Sequence, residues 1–336
     1  MGIDSITSQR KDIRVKNPDQ YYDWGDEIGR GKFAVVKKAT KKETGEDFAV
    51  KMIKYDSESI KFAIREYDLM VSGDLADSRT VKLHEAYLVR SYLILIIDLV
   101  DGKTMLDKVS HMHSLTEDDV AGIVTQLLET LATLHSNNVV HLDLRPTNIR
   151  FSSGRNIKLL DYNSARVIAN KKAGAVVDLI GDTEFCAPEL LNFDPVSPGS
   201  DMWSVGVLTY ILLSGISPFY YEDEDKVLET VQLVKWQFDP DAFESVTPEA
   251  KDFIKKLLIR APEMRMTVSD ALAHKWLSDS YQGARKRSVL SIQDTMRETD
   301  ERLYSEEEED YIEAALVFRT FDEEPYIEPE EDDEED

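Results

Sequence analysis

The apolar residues of this chain change their period once, and that change constrains the fold more than any other feature. Before Asp101-Gly102 they fall in short β-rich runs: 34–36, 48–53 and 87–97, with Glu43-Thr44-Gly45-Glu46 as a turn between the first two. One helix interrupts the runs at 59–70, with Phe62, Ala63, Glu66, Tyr67 and Met70 on related faces. Beyond Gly102 the spacing turns helical. Thr116-x-x-Asp119 reads as a capping box with Asp in the place of the usual Glu or Gln. Behind it Val120, Ile123, Val124, Leu127, Leu128, Leu131 and Leu134 keep a helical period. Residues 203–213 are apolar on nearly all sides, as in a buried helix, and 248–260 and 267–277 give two more helices. Strands first and helices second predict an α+β arrangement in two lobes. Residues 1–20, polar and aperiodic, read as a linker.

Charge separates a body from a tail. The 336 residues carry 65 Asp+Glu against 40 Lys+Arg, a formal net charge of −25. Residues 291–336 hold 21 of the acidic and 3 of the basic side chains, so the body carries only −7. With 42% apolar residues that body can bury a proper core. Its acidity argues against nucleic acid as a partner, because such affinity rests on Lys and Arg neutralising phosphates. The single cysteine, Cys186, rules out a disulfide framework or a cysteine-built zinc site and fits a reducing cytosol. No apolar run approaches the ~20 residues of a membrane span.

Several short motifs carry chemistry. Gly29-Arg30-Gly31-Lys32-Phe33 lies between two strands, where glycines let backbone approach phosphate oxygens; a plain hairpin turn explains it equally well. Lys51 ends a strand fifteen residues before the helical Glu66. Facing inward, the two form an ion pair that presents an ammonium to phosphates; facing outward, they are two solvated charges. Asp143 and Asn148 stand five residues apart in the proline-stiffened segment His141-Leu142-Asp143-Leu144-Arg145-Pro146-Thr147-Asn148, and Asp161-Tyr162-Asn163 closes an apolar strand 13 residues later. Oxygen ligands converging from two adjacent loops suit magnesium.

Together with Ala187-Pro188-Glu189 and Asp201-Met202-Trp203, these motifs form an ordered set that resembles the eukaryotic protein kinase signature over residues 21–278. The resemblance implies a bilobal α+β kinase fold. It has a five-stranded N-lobe with one helix (21–100), a mainly helical C-lobe (101–278) and a regulatory C-terminal tail. It also implies ATP and Mg2+ as cofactors. Lys51 would bind the phosphates with Glu66 holding it, Asp143 would accept the substrate hydroxyl proton beside Arg145, and Asn148 and Asp161 would hold the metal. Ile28, Gly29, Gly31, Val36 and Ala49 would line the nucleotide cleft, with Asp98 and Val100 at the hinge. Arg145-Pro146 is the pairing typical of Ser/Thr kinases. Asp201 to Tyr210, Leu213-Ser214-Gly215 and Ser217-Pro218-Phe219 resemble the calmodulin-kinase and myosin-light-chain-kinase group. His-Leu-Asp-Leu in place of His-Arg-Asp-Leu is similar to the giant muscle kinases of titin, twitchin and above all obscurin type. That likeness implies cytoplasmic, sarcomeric placement at the M-line or Z-disc and muscle-cytoskeleton proteins as substrates or scaffold partners. It also leads to the expectations that His141 bonds near Asp201 or to backbone, and that Glu189 pairs with Arg265.

The departures from the pattern matter. Leu142 removes the Arg that reads an activation-loop phosphate, so loop phosphorylation is not the expected switch. Asn163 replaces a Gly, which would restrict a position of positive φ. Asp182 stands where a Thr usually bonds to the catalytic Asp; a second carboxylate there would raise the pKa of Asp143 and occupy Arg145. Thr104 and Thr147 replace the Glu residues that hold a basic substrate side chain, so a basophilic preference does not carry over. Two functions remain: a weak, tail-inhibited Ser/Thr kinase, and a pseudokinase scaffold that binds partners without phosphotransfer. Residues 279–327, with Val289, Ile292 and Met296 at helical spacing, are expected to dock on the body and inhibit it; 328–336 is expected to be a disordered acidic end. The basic cluster Ala284-Arg285-Lys286-Arg287 is short and followed by acid, which makes a calmodulin-type activator the weaker reading. Cys186 reads as packing, His111 and His113 as a solvated loop, and Phe219-Tyr220-Tyr221 as core and surface packing.

Overall fold

The computed structural model describes residues 10–30, 34–55, 60–75, 77–112, 115–152, 154–168, 182–278 and 295–303. Its first lobe is a six-stranded sheet built from β1 (Ile13–Arg14), β2 (Tyr22–Arg30), β3 (Ala34–Lys41), β4 (Asp47–Lys54), β5 (Leu83–Val89) and β6 (Tyr92–Asp98). Strand order is β1-β5-β6-β4-β3-β2, antiparallel except for the parallel pairing of β1 with β5. Helix α1 (Ile60–Ser72) packs on one face. The period-two pattern sorts the side chains. Phe48, Val50 and Met52 of β4 join Ile94 and Ile96 of β6 in one cluster, while Ile53, Leu93 and Leu95 face α1 through Ile60, Ala63, Ile64 and Tyr67.

Two sequence expectations are corrected in this lobe. The sheet has a sixth strand, because residues 1–20 are not linker throughout. Ile13 is 4% exposed and pairs with Ala86, and Pro18–Gln20 forms a 3-10 turn capped by Asn17. A two-residue strand is too short for alternation to reveal it; its partner supplies the stability. The run 87–97 is two strands, β5 and β6, folded back at Arg90-Ser91, where Arg90 takes φ 50°. The turn at 43–46 stands as expected, with Gly45 at φ 71°.

The second lobe is helical: α2 (Met105–Ser110), α3 (Glu117–Ser136), α4 (Pro188–Leu191), α5 (Pro198–Ser214), α6 (Glu224–Gln232), α7 (Pro248–Leu257) and α8 (Val268–Leu272), with strand pairs β7 (Val139–Val140) with β10 (Arg166–Val167) and β8 (Ile149–Phe151) with β9 (Ile157–Leu159). The Thr116–Asp119 capping box of α3 is reciprocal. α5 is buried along nearly its whole length and begins five residues before the apolar run, because Ser197 caps it and Pro198 supplies its first turn. The stretch 267–277 breaks in two: α8 ends at Leu272, and His274 caps a separate 3-10 turn, Lys275–Leu277. Periodicity did not disclose Glu117, a fully buried carboxylate. It accepts from Thr247 N (3.1 Å) and Trp276 Nε1 (2.9 Å), which ties the start of α3 to α7 and to the end of the lobe. As expected, Glu189 and Arg265 pair at 2.7 Å through both oxygens, with Arg265 stacked 5.1 Å from the Trp203 ring. Among the described residues no helix is long and apolar enough to cross a membrane.

Ile13 gives the corrected segment a measurable weight. Ile13→Ala should lower unfolding stability by about 2 kcal/mol in urea titrations, whereas a linker position would leave the midpoint unchanged.

Candidate active site

The site lies where β4 and α1 meet the loops that follow α3 and β9. Cross-strand register places Gly29 opposite Val36 and Val36 opposite Lys51, so these three share one stretch of sheet, with Ala49 on the Lys51 face two residues back. Ile28 is 38% exposed at the rim of β2. Gly31 lies outside the described residues, as do Lys32 and Phe33. Asp98 ends β6, and its carboxylate is engaged by His84 Nε2 (2.7 Å) and Lys82 N (3.1 Å). A hinge contact there falls to backbone, with Val100 partly buried against the lower core.

Lys51 faces inward, 6% exposed, against Glu66 at 3%. Its ammonium donates to both Glu66 oxygens (2.9 and 2.8 Å) and to Asp161 Oδ1 (2.7 Å). Burial alone would lower the Lys51 pKa, but Asp161 and Glu66 outweigh it and raise it. Burial raises Glu66, while Lys51 overcomes burial to hold Asp161 below the usual carboxylate range.

Asp143 sits in a loop fixed from below by Asp201. That fully buried carboxylate accepts from His141 N (2.9 Å) and Leu142 N (2.8 Å) and faces His135 Nε2 at 2.8 Å. Leu142 is thereby held at φ 66°, an unfavourable region for a branched side chain, while that side chain joins the C-lobe core at 6% exposure. Burial lowers the His141 pKa and keeps the ring neutral. Its Nε2 meets Leu160 O at 3.1 Å and its Nδ1 accepts from Asp143 N at 3.3 Å, so the proton belongs on Nε2. Asn148 Nδ2 donates to Asp143 O (2.9 Å) and Oδ2 (2.8 Å), which leaves its own oxygen as the ligand atom.

The Asp161-Tyr162-Asn163 segment carries its positive φ at Asp161 (57°), and Asn163 is not among the left-handed residues. The Gly-to-Asn departure therefore costs no backbone strain here. Asn163 N donates to Asp161 Oδ1 at 3.2 Å, and the fully buried Tyr162 packs against His141.

Asp182 does only part of what its position predicts. Burial is the main cause that pushes the Asp143 carboxyl up to about 7, and the Asp161 and Asp182 charges add to it against Arg145 and Asn148. Asp182 Oδ1 accepts from Glu184 N at 3.0 Å, and its Oδ2 is buried without a hydrogen-bond partner. Arg145 does not bond that atom; its Nε donates to Thr147 Oγ1 at 2.9 Å. The residues present fit a nucleotide-carried divalent ion. Asp161 and Asn148 converge from adjacent loops, and among the described residues no three His, Cys, Asp or Glu side chains form a protein-only metal cage.

Residues 22–277 match the family described as Protein kinase domain. The chain is 36% identical over 292 residues to the Danio rerio striated muscle preferentially expressed protein kinase, covering 87% of this chain and 10% of that protein. It superposes on the C. elegans twitchin kinase region with TM-score 0.79 and 33% identity, over 88% of this chain and 52% of that one. The autoinhibited serine kinase domain of the giant muscle protein titin matches with TM-score 0.71 and 28% identity, over 83% and 88%. The chain thus spans a tenth of the length of the striated muscle relative.

Asp201→Ala should unfold the catalytic loop first. It strands two buried backbone N–H groups, at roughly 1–3 kcal/mol each. Hydrogen exchange at His141 and Leu142 should accelerate before the rest of the C-lobe loosens.

Proposed function

The chain belongs to the protein kinase family, and from that premise we propose that it transfers the γ-phosphate of Mg-ATP to a protein Ser or Thr hydroxyl, restrained by its own tail. The observation that carries this reading is the Lys51 ammonium held between Glu66 and Asp161 beside the Asp143–Asn148 pair. Lys51 would present its charge to the nucleotide phosphates, with Gly29, Val36 and Ala49 around the nucleotide. Asn148 and Asp161 would hold the metal. Magnesium, when bound with ATP, supplies charge neutralisation at the phosphoryl oxygens. Asp143 orients the attacking hydroxyl. Its Oδ2 is taken by Asn148, so Oδ1 is the oxygen that accepts the proton.

The lobes divide at 100/101, and residues 279–327 form the inhibitory segment. The titin domain is described as autoinhibited, and here residues 295–303 are helical with Met296 and Leu303 buried in the C-lobe core. The flanking residues of that segment, the basic cluster 284–287 and the acidic end 328–336 lie outside the described residues. Because two relatives are muscle kinases, the same reading assigns the chain to muscle cytoplasm and takes muscle-cytoskeleton proteins of the M-line or Z-disc as its substrates or scaffold partners. A second reading, a scaffold that binds nucleotide without transfer, is favoured by Asp182 alone, whose charge works against ionised Asp143.

Titration of Mg-ATP by calorimetry, followed by phosphotransfer assays, separates the two. Asp143→Asn should lower transfer by at least ~100-fold; equal transfer by both proteins removes the kinase reading, and binding without transfer selects the scaffold. Truncation after Ser278 should raise nucleotide affinity or turnover.

Because the Asp143 carboxyl is pushed up to about 7, it is protonated below that pH and cannot accept a proton. Transfer should therefore rise with pH through about 7. Asp182→Thr removes a charge that raises the pKa, so it should move the midpoint of the pH–rate profile downward and increase the rate at neutral pH.

A further inference from the structure

Outside the catalytic cleft, a cavity of about 480 Å³ opens at the seam between the upper and lower cores. Much of its lining is apolar. Ile60 and Ile64, one turn apart on α1, belong to the cluster under the sheet, whereas Leu69 belongs to the lower core. Val167 of β10 also lines it, an apolar side chain left 63% exposed six residues beyond Asp161. The cavity therefore touches both chain segments that bring carboxylates to Lys51, the helix that carries Glu66 and the strand that follows Asp161. Its size is that of a site for a ligand or a side-chain anchor, not of a packing void.

The chain itself marks the edge of this cavity. Arg10 lines it and donates to Asp68 Oδ1 and Oδ2 at 2.6 and 2.7 Å. That ion pair fixes the point at which residues 1–9, which lie outside the described residues, join the body. Ile13 pins the next stretch against Ala86. Ile6 stands four positions before Arg10, a reach of at most about 14 Å. Ile3, Ile6 and Arg10 follow i, i+3, i+7 spacing, and Asp4 is the one charged residue ahead of Arg10.

We propose that this cavity is the docking site of the chain's own residues 3–6, with Ile6 as the anchor that enters beside Ile64 and Val167. Arg10 and Asp68 set the register, and burial of the branched side chain supplies the affinity. Seated there, Ile6 joins the upper core to the lower one and holds α1 against the strand after Asp161. Glu66 and Asp161 then keep their spacing about Lys51. A partner protein or a second copy could offer the same apolar anchor. Residues 1–9 are favoured over both because they are tethered at the edge of the cavity, which gives them a high effective concentration. The docking goes beyond the proposed phosphotransfer and does not require it.

The test uses the full chain without nucleotide. Amide exchange read by mass spectrometry should show α1 and residues 165–168 opening at least ~10-fold faster in Ile6→Asp, with Ile6→Leu close to the parent. Val167→Asp, at an exposed position that does not threaten folding, should open the same segments. Adding it to Ile6→Asp should change little further, because both remove one contact. Cysteines introduced by Ile6→Cys and Val167→Cys should close a disulfide within one chain under mild oxidation, while Ile6→Cys with Ser278→Cys should not. Cys186, 4% exposed, stays out of the reaction. Unchanged exchange in Ile6→Asp overturns the docking, as do additive effects of the two aspartates. A 6–167 disulfide that links two chains also overturns it, and makes a second copy the occupant.

Discussion

One ammonium joins three parts of the chain. Lys51 projects from the sheet to Glu66 on α1 and to Asp161 from the loop after β9, partners 15 and 110 residues away. Lys51 and Glu66 leave water to meet, with Asp161 partly buried beside them, and burying a single charge of this kind is strongly unfavourable unless it is paired. The sheet, the helix and the lower lobe therefore share one electrostatic requirement, and removing Lys51 leaves the buried Glu66 carboxylate uncompensated beside Asp161. The position of α1 against the sheet and the backbone turn at Asp161 both follow from meeting it. The other fixed point of the site, Asp201, works in the same currency, one carboxylate saturated by two backbone N–H groups and an imidazole.

Against that frame, Asp182 is the group out of balance. One oxygen is used by the Glu184 amide and the other is buried without a hydrogen-bond partner, between two carboxyl groups whose pKa values it helps to raise. Natural chains keep such a group where the penalty serves a purpose. Here it weakens the ionised form of Asp143 and at the same time makes the Arg302 cation at Glu184 more valuable. The same side chain therefore slows the proposed chemistry and tightens the proposed tail contact, two effects that act in one direction.

Most of the fold was legible because its local signals agree with one another. The strand alternation of β4, the capping box of α3 and the all-round apolar α5 each state their environment in a few residues. The motif spacing identified Lys51, Glu66, Asp143, Asn148 and Asp161, and the structure brings these side chains together. What escaped was decided at long range. β1 is two residues whose partner is more than 70 positions away. Glu117 carries no local signal of burial, yet it is buried by Thr247 and Trp276. The positive φ expected at Asn163 sits at Asp161, because the turn takes its left-handed residue two positions earlier. Glu184 and Arg302 are ordinary charged residues in sequence; only the docked helix makes them a pair. Leu303 was overlooked for the same reason, although its seven-residue offset from Met296 was the available signal.

The short first strand also sets a direction for mechanical load. Arg10, just ahead of β1, grips Asp68 through two hydrogen bonds of 2.6 and 2.7 Å, and Asp68 lies on α1 two residues beyond Glu66. Tension applied to the chain before residue 10 therefore reaches the helix that holds Lys51 before it reaches the rest of the sheet. Tension applied to the chain directly after residue 303 reaches the tail helix, with Met296 and Leu303 seated in the lower core. Residue 10 is thus tied to the helix of the upper lobe and residues 295–303 to the lower lobe, so a pull on one and a pull on the other are physically distinct inputs.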